Sequence, residues 1–125
     1  MREALFRGKR VSDGEWVKES KFYSRDAWGT RLLDHKNDVV DVIPETVGQS
    51  MGTIDKNGRR IYDGDILAGH RDGNAVVAWD EENARVIGCH ADMTFMFAAD
   101  EFRDYEVIGN IHDNPGLLKQ KGGPQ

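Results

Sequence analysis

The chain of 125 residues has little of what would tie it to an oxidising compartment or a membrane. It contains one cysteine, Cys89, so no disulfide can form within the chain. No apolar run approaches the roughly 18 residues of a membrane helix, and the first residues, MREALFRGKRV, lack an apolar signal-peptide core. We therefore expect a cytoplasmic protein with no membrane partner, whose core alone stabilises the fold.

The chain is also short of positive charge, with a formal net charge of −5 at pH 7. Non-specific nucleic-acid binding depends on Lys and Arg neutralising phosphates, so a general coating role is disfavoured. The densest basic cluster lies near the N-terminus and consists of Arg2, Arg7, Lys9 and Arg10. Successive side chains of a strand point to opposite faces, so a strand here would partly split this cluster.

What the chain does contain is a succession of short apolar runs between Gly, Asn and Asp clusters, which is typical of strands and turns. The pattern predicts a mainly β fold with little helix. A Ser-Asp-Gly turn predicts an N-terminal hairpin that joins residues 5–11 to residues 15–17. Residues 22–33 follow neither period and are interpreted as an irregular loop or short strands. Residues 39–43 are predicted to form a strand that Pro44 ends.

The short strands from about residue 51 to residue 111 are joined by tight turns, which predicts a small, partly open β-barrel. Residues 63–79 look like part of an SH3-like barrel, an analogy that concerns fold alone. We interpret residues 1–118 as a single domain. Residues 119–125 carry no apolar side chain and are predicted to form a disordered tail.

Residues 55–67, DKNGRRIYDGDIL, are rich enough in carboxylates and glycine to raise the question of a metal or phosphate site. An EF-hand needs an oxygen ligand at its fifth position and glycine at its sixth, and those positions are Arg59 and Arg60. A phosphate loop needs a Gly-Lys-Ser/Thr sequence, which does not follow. The stretch therefore predicts a hairpin turn at Asp-Lys-Asn-Gly and a second turn at Asp-Gly-Asp. We expect no metal and no cofactor.

The potential catalytic residues are scattered. Cys89 and His90 are adjacent, so on a strand they would point to opposite faces, and Cys89 is interpreted as a small buried hydrophobic residue. The chain is therefore predicted not to be an enzyme. A hydrolase that uses Asp63, Asp65 and a nearby histidine is the least favoured alternative, because its carboxylates would have to converge in a pocket instead of capping turns.

Aromatic residues make up 9% of the chain, and a small β domain needs most of them for its core. Trp28 is the exception, because it lies among charged residues in a segment without a clear period. An exposed Trp there would indicate a surface for a partner. The candidate binding surface consists of Arg7, Lys9, Arg10 and Trp28.

Four blocks of sequence occur in an order and spacing that resemble the YopX family of phage and prophage proteins. The blocks are FRGKRVSDGEWV, ETVGQSMGTIDKNGRRIYDGDIL, VVAW and YEVIGNIHDNPGLL, and they span most of the chain from residue 6 to residue 118. Most of the matching positions are explained as turn glycines, caps or core residues. We call eight of these positions the structural motif: Asn57, Gly58, Tyr62, Gly64, Asp65, Trp79, Gly109 and Asn110. The resemblance implies a mainly β accessory protein of a phage or prophage, acting in the bacterial cytoplasm, and it carries over no catalytic residue.

The leading hypothesis is a non-enzymatic binding or adaptor protein that contacts a protein partner. Homo-oligomerisation is compatible with it, because a partly open barrel presents strand edges that another copy can cover. The alternative is a nucleic-acid-binding accessory protein that uses a basic face with Trp28 or Trp79. Its affinity would fall steeply with salt.

Overall fold

The structure is a computed structural model that describes residues 4–70, 73–80, 82–83, 85–90, 93–96 and 101–119. Among the described residues, strands predominate and the helical elements are short 3-10 helices, so the predicted mainly β fold with little helix is confirmed. One sheet curls into a half-barrel. The SH3-like detail stays a prediction.

The chain forms two compact units, Met1–Ser50 and Met51–Gln125. The interpretation of residues 1–118 as a single domain stays a prediction, because compactness does not show which parts fold on their own. Among the described residues, no helix is long and apolar enough to cross a membrane.

The first unit is built from short antiparallel strands. They are β1 (Phe6–Lys9), β2 (Trp16–Ser20), β3 (Tyr23–Asp26), β4 (Gly29–Leu33) and β5 (Val39–Val42), followed by a 3-10 helix, Pro44–Thr46, and by β6 (Gly48–Ile54), which crosses into the second unit. β1 pairs with β2 and with the start of β6, which confirms the N-terminal hairpin. β3, β4 and β5 form a three-stranded sheet in that order.

The pairing of β3 with β4 decides between the two interpretations of residues 22–33. These residues form a hairpin of short strands, and the irregular-loop interpretation was wrong. The period was hidden because β3 lies at a sheet edge, where most of its side chains are exposed. The core of this unit is small. Its buried residues are Val17, Leu32 and Val42, with Phe6, Val40 and Val47 packed against them.

The second unit contains the larger described core. Its strands after β6 are β7 (Arg60–Tyr62), β8 (Asp65–His70), β9 (Gly73–Asp80), β10 (Arg85–His90), β11 (Met93–Met96) and β12 (Glu106–Asn110). Five of these form an antiparallel sheet in the order β11-β10-β9-β8-β12. The buried core residues are Met51, Ile61, Leu67, Val77, Phe102, Tyr105 and Val107.

Two 3-10 helices, Glu101–Asp104 and Pro115–Lys119, flank β12. Lys119, predicted to begin the disordered tail, is thus the last residue of a helical turn. The rest of the predicted tail, residues 120–125, lies outside the described residues.

Candidate binding surface

Trp28 lies at the tip of the β3–β4 hairpin, where the chain reverses through Ala27 and Trp28. The Oδ1 atom of Asp26 accepts a hydrogen bond of 2.8 Å from the backbone N–H of Trp28, which fixes the turn. That hydrogen bond is the main reason why the pKa of Asp26 is lowered; burial opposes it, and the Arg31 charge supports it. The Trp28 side chain is 84% exposed. Trp28 is therefore exposed, which is the observation that we take as an indication of a partner surface.

A cleft of about 290 Å³ lies beside the Trp28 ring. Three segments of the first unit supply its walls: the turn after β1, the β3–β4 hairpin and the end of β5 with the proline that follows. The backbone N–H of Val11 donates to the carbonyl of Asp41 at 3.0 Å, which connects the first of these segments to the last. The lining residues are Val11, Trp28, Gly29, Thr30, Asp41, Val42 and Pro44. We call this set the Trp28 cleft.

The charges around the cleft are unevenly balanced. Arg31 lies directly opposite Asp41 in the pairing of β4 with β5. Its Nε atom is 3.4 Å from Oδ1 of Asp41, and its Nη1 atom is 3.4 Å from Oδ2 of Asp26. The Arg31 guanidinium therefore forms ion pairs with two carboxylates. The side chain of Asp41 remains 69% exposed, so its charge is open to solvent at the mouth of the cleft.

The basic side chains of the predicted candidate surface gather around Trp16, and none of them lines the Trp28 cleft. Arg7 and Lys9 occupy alternate positions of β1 and both contact the Trp16 ring, with the guanidinium carbon 4.8 Å and the ammonium nitrogen 5.5 Å from the ring centroid. Arg7 is only 4% exposed. Arg10 forms an ion pair with Asp13 in the hairpin turn. Of the predicted candidate surface, Trp28 is the member whose side chain is most open to a partner.

A second cleft of about 270 Å³ opens near Trp16. Two of its lining side chains, Arg10 and Lys18, are cationic, whereas none of the described residues that line the Trp28 cleft is cationic. The lining residues of the second cleft are Arg10, Trp16, Val17, Lys18, Asp34 and His35. The Asp34 carboxylate accepts hydrogen bonds from the backbone N–H groups of Asp38 and Lys36, both at 2.9 Å, which lower its pKa against the effect of burial.

The Asp55–Gly58 turn in the second unit is structural. Gly58 has a φ of +82°, a left-handed conformation that glycine adopts readily, and its N–H donates to the Asp55 carbonyl. The Asp55 carboxylate is buried and accepts hydrogen bonds from the backbone N–H groups of Asn57, Arg59 and Val107 at 2.8 to 2.9 Å. Burial alone would raise the pKa of Asp55, but these hydrogen bonds and the Arg59 charge together lower it. The turn prediction is confirmed.

The second predicted turn has the same chemistry. The buried Asp65 carboxylate accepts a hydrogen bond of 2.8 Å from the backbone N–H of Tyr62 across Asp63 and Gly64. Tyr62 is buried, and Trp79 packs against the core of the unit. In this position Asp65 acts as a cap within the turn, which is the structural role weighed against the hydrolase hypothesis.

Gly109 and Asn110 are the last two residues of β12 and lead into the turn that follows it. The Oδ1 atom of Asn110 accepts hydrogen bonds from the backbone N–H groups of His112 and Asp113, both at 2.9 Å. A Cβ atom at Gly109 would lie 2.5 Å from the side-chain oxygen of Asn114, so the position needs glycine for this close approach. These motif positions therefore hold a turn.

The remaining chemical candidates do not converge within the part of the chain that the structure describes. Cys89 is a free thiol that is partly exposed, where the sequence predicted a buried one. No group of three or more His, Cys, Asp or Glu side chains among the described residues is placed to hold a metal ion. The side chains of His70 and His90 lie outside the described set.

Sequence reasoning missed Val11, Asp41 and Pro44 as neighbours of Trp28. Pro44 was recognised only as the end of a strand. The register of β4 with β5, which places Asp41 opposite Arg31, was the available signal, but it requires residues 22–33 to be interpreted as strands.

Comparisons with known proteins agree with the fold. A family model described as YopX protein matches residues 5–119. Among solved structures, the chain is similar to the crystal structure of protein EF1440 from Enterococcus faecalis, with a TM-score of 0.61 and 23% identity over 94% of this chain and 99% of that one. At that identity the likeness concerns the fold alone. No curated protein sequence matches the chain.

Proposed function

The chain belongs to the YopX family, and we propose that it is a non-enzymatic binding or adaptor protein that contacts a partner protein through the Trp28 cleft. The observation that carries this proposal is the 84% exposure of Trp28 at a hairpin tip beside a cleft. The setting in the proposal is a phage or prophage accessory protein in the bacterial cytoplasm, as the family resemblance implies.

The physical argument concerns where binding energy is concentrated. A few residues, with Trp among the most frequent, carry most of the binding free energy of protein interfaces, and they sit in pockets that water leaves on association. The backbone of Trp28 is fixed by the turn, so little backbone entropy is lost when a partner covers the residue. Val11, which is 61% exposed, and the exposed Pro44 extend the apolar surface around it.

The test is crosslinked capture from bacterial host lysate with the tagged full chain, with and without nuclease. Three baits are compared: the wild-type chain, Trp28→Ala and the control Val39→Ala, which removes an exposed apolar side chain of the same unit outside the cleft. We expect a protein that survives nuclease, is lost with Trp28→Ala and is kept with Val39→Ala. Equal capture by all three baits would contradict the proposal.

Light scattering of the purified baits separates a foreign partner from a second copy of the chain. If the bound protein is another copy, the wild-type mass is a multiple of 14.1 kDa and falls in Trp28→Ala. If it is a foreign protein, the mass is the same for both.

The second cleft supports a second candidate function, nucleic-acid binding. Trp16 offers a ring, and Arg10 and Lys18 offer charge for phosphates. We expect binding of a single-stranded oligonucleotide to weaken steeply with salt, and to weaken further in Lys18→Gln, if this candidate is correct. A partner that disappears on nuclease treatment would favour it over the first proposal.

A further inference from the structure

The Trp28 cleft combines an exposed indole with one ionisable side chain among its lining residues, the carboxylate of Asp41. The other lining side chains are apolar, except for the Thr30 hydroxyl. Trp28 belongs to the β3–β4 turn and Asp41 to β5, and the β3-β4-β5 pairing brings them to one cleft. A cleft of this composition suits a ligand that is flat, partly apolar and positively charged.

The local charge selects the sign of the ligand. Asp26 and Asp41 share Arg31, each at 3.4 Å, so this trio carries one negative charge beyond what Arg31 neutralises. The exposed Glu45 next to Pro44 adds to that sign, and the whole chain carries a net charge of −5. An anionic group such as a phosphate would meet the Asp41 carboxylate at the mouth of the cleft.

Arginine fits this chemistry better than lysine. Its guanidinium is planar, so it can stack on an indole face, and its fork of donors can contact a carboxylate at the same time. Lysine carries a compact, strongly hydrated ammonium, which can pair with a carboxylate but cannot stack on an indole as a planar group does. Resting on the proposed function, we propose that the Trp28 cleft binds an arginine side chain of the partner protein, stacked on Trp28 and paired with Asp41.

The test uses a short synthetic probe with the full chain. A glycine- and serine-flanked arginine pentapeptide is titrated against the protein, and its twin carries citrulline, which keeps the planar shape without the charge. The readout is the indole N–H resonance of Trp28, assigned with Trp28→Phe because the chain has three Trp. We expect the arginine peptide to shift this resonance with saturation, and to bind at least about threefold more tightly than the citrulline twin.

Two matched variants locate the charge that the probe senses. Asp41→Asn removes the carboxylate of the cleft, and the control Asp38→Asn removes an exposed carboxylate of the β4–β5 connection that does not line it. We expect Asp41→Asn to weaken arginine-peptide binding about threefold, and Asp38→Asn to leave it unchanged, because an exposed ion pair contributes modestly. Equal binding of both peptides, or equal affinities of both variants, would overturn the inference.

The same variants separate this inference from the proposed function. Capture that depends on Trp28 but is unaffected by Asp41→Asn would leave the proposed function standing and overturn the arginine assignment. Arginine-specific peptide binding with capture unaffected by Trp28→Ala would overturn the proposed function, and with it the assignment of the arginine to the partner protein. A Trp28 shift produced by a single-stranded oligonucleotide, and not by the arginine peptide, would overturn the assignment in favour of a nucleic-acid ligand.

Discussion

The two compact units use the same residue type, aspartate at a turn, in different ways. In the second unit, Asp55 is 2% exposed and its oxygens accept three backbone hydrogen bonds. In the first unit, Asp26 is exposed, accepts a hydrogen bond from the backbone N–H of Trp28, and shares Arg31 with the exposed Asp41. The carboxylate of Asp55 is buried and hydrogen-bonded within the protein, whereas that of Asp41 is accessible to a ligand. Burial and the number of donors, and not the turn sequence, set the role of the carboxylate.

Trp79 of the second unit and Trp28 of the first unit differ in burial in the same way. Trp79 packs against the core of the second unit, while Trp28 has no such support and is exposed in the first. An exposed Trp gains nothing for the stability of its own unit from burial. Under the proposed function, the second unit's turn residues stabilise the fold and the first unit's hairpin tip binds a partner. Each prediction below tests that division.

The largest expected effect is that of Asp55→Ala. It leaves the buried backbone N–H of Val107 and those of the turn without their acceptor, and an unsatisfied buried group costs about 1 to 3 kcal/mol. We expect the free energy of unfolding to fall by about 3 kcal/mol, measured by urea denaturation. The matched change in the first unit, Asp26→Ala, should lower it by less than about 1 kcal/mol, because water can replace an exposed acceptor. Equal losses would contradict the division.

A smaller effect is expected from acid. The pKa of Asp55 in the folded chain lies below its ordinary value of 3.8, so the stability contributed by its carboxylate is fully present above that value and is lost as the pH falls through the folded pKa. The difference in unfolding free energy between wild type and Asp55→Asn should therefore shrink between pH 5 and the folded pKa. A difference that stays constant over this range would show that the Asp55 charge is not involved.

The next effect is that of Gly58→Ala. Alanine in the left-handed conformation costs about 1 kcal/mol, which lowers the melting midpoint by roughly 3 to 6 °C in a chain of this size. The control is Gly116→Ala, because a Cβ atom there meets no neighbour and its backbone is not left-handed. Thermal unfolding followed by circular dichroism measures both. A midpoint shifted as much by the control as by Gly58→Ala would remove the backbone explanation.

The smallest effect on stability is expected from Trp28→Ala. Since the side chain is 84% exposed, the free energy of unfolding should change by less than about 0.5 kcal/mol. Urea denaturation beside Val39→Ala measures this. A loss of more than about 1 kcal/mol would mean that Trp28 stabilises the unit, and its exposure would then be no sign of a binding role.

Local chemistry made much of the fold predictable. The Asp55–Gly58 turn was identified because Asp and Asn-Gly act within a few residues of each other, and its hydrogen bonds are as expected. The sequence does not distinguish strands from a loop at the β3–β4 hairpin, because an edge strand with mostly exposed side chains has no apolar alternation. Apolar alternation arises from the burial of one face of a strand, so it cannot reveal a strand whose side chains are exposed.

The candidate surface was predictable only in part for a different reason. Trp28 stood out because its neighbours are charged and no period explained it. Arg7 was chosen by its charge alone, but it is buried over Trp16, a contact between strands that spacing does not reveal. Asp41 was missed because its position beside Trp28 depends on the register of three strands.

The most direct measurement is hydroxyl-radical labelling of Trp28 in the free chain and in the complex isolated by capture. Tyr23, which is 40% exposed on β3 and does not line the cleft, is the internal control. If the Trp28 cleft is the binding surface, labelling of Trp28 falls at least about fivefold in the complex while that of Tyr23 changes little. Equal labelling of Trp28 in both samples would contradict the account.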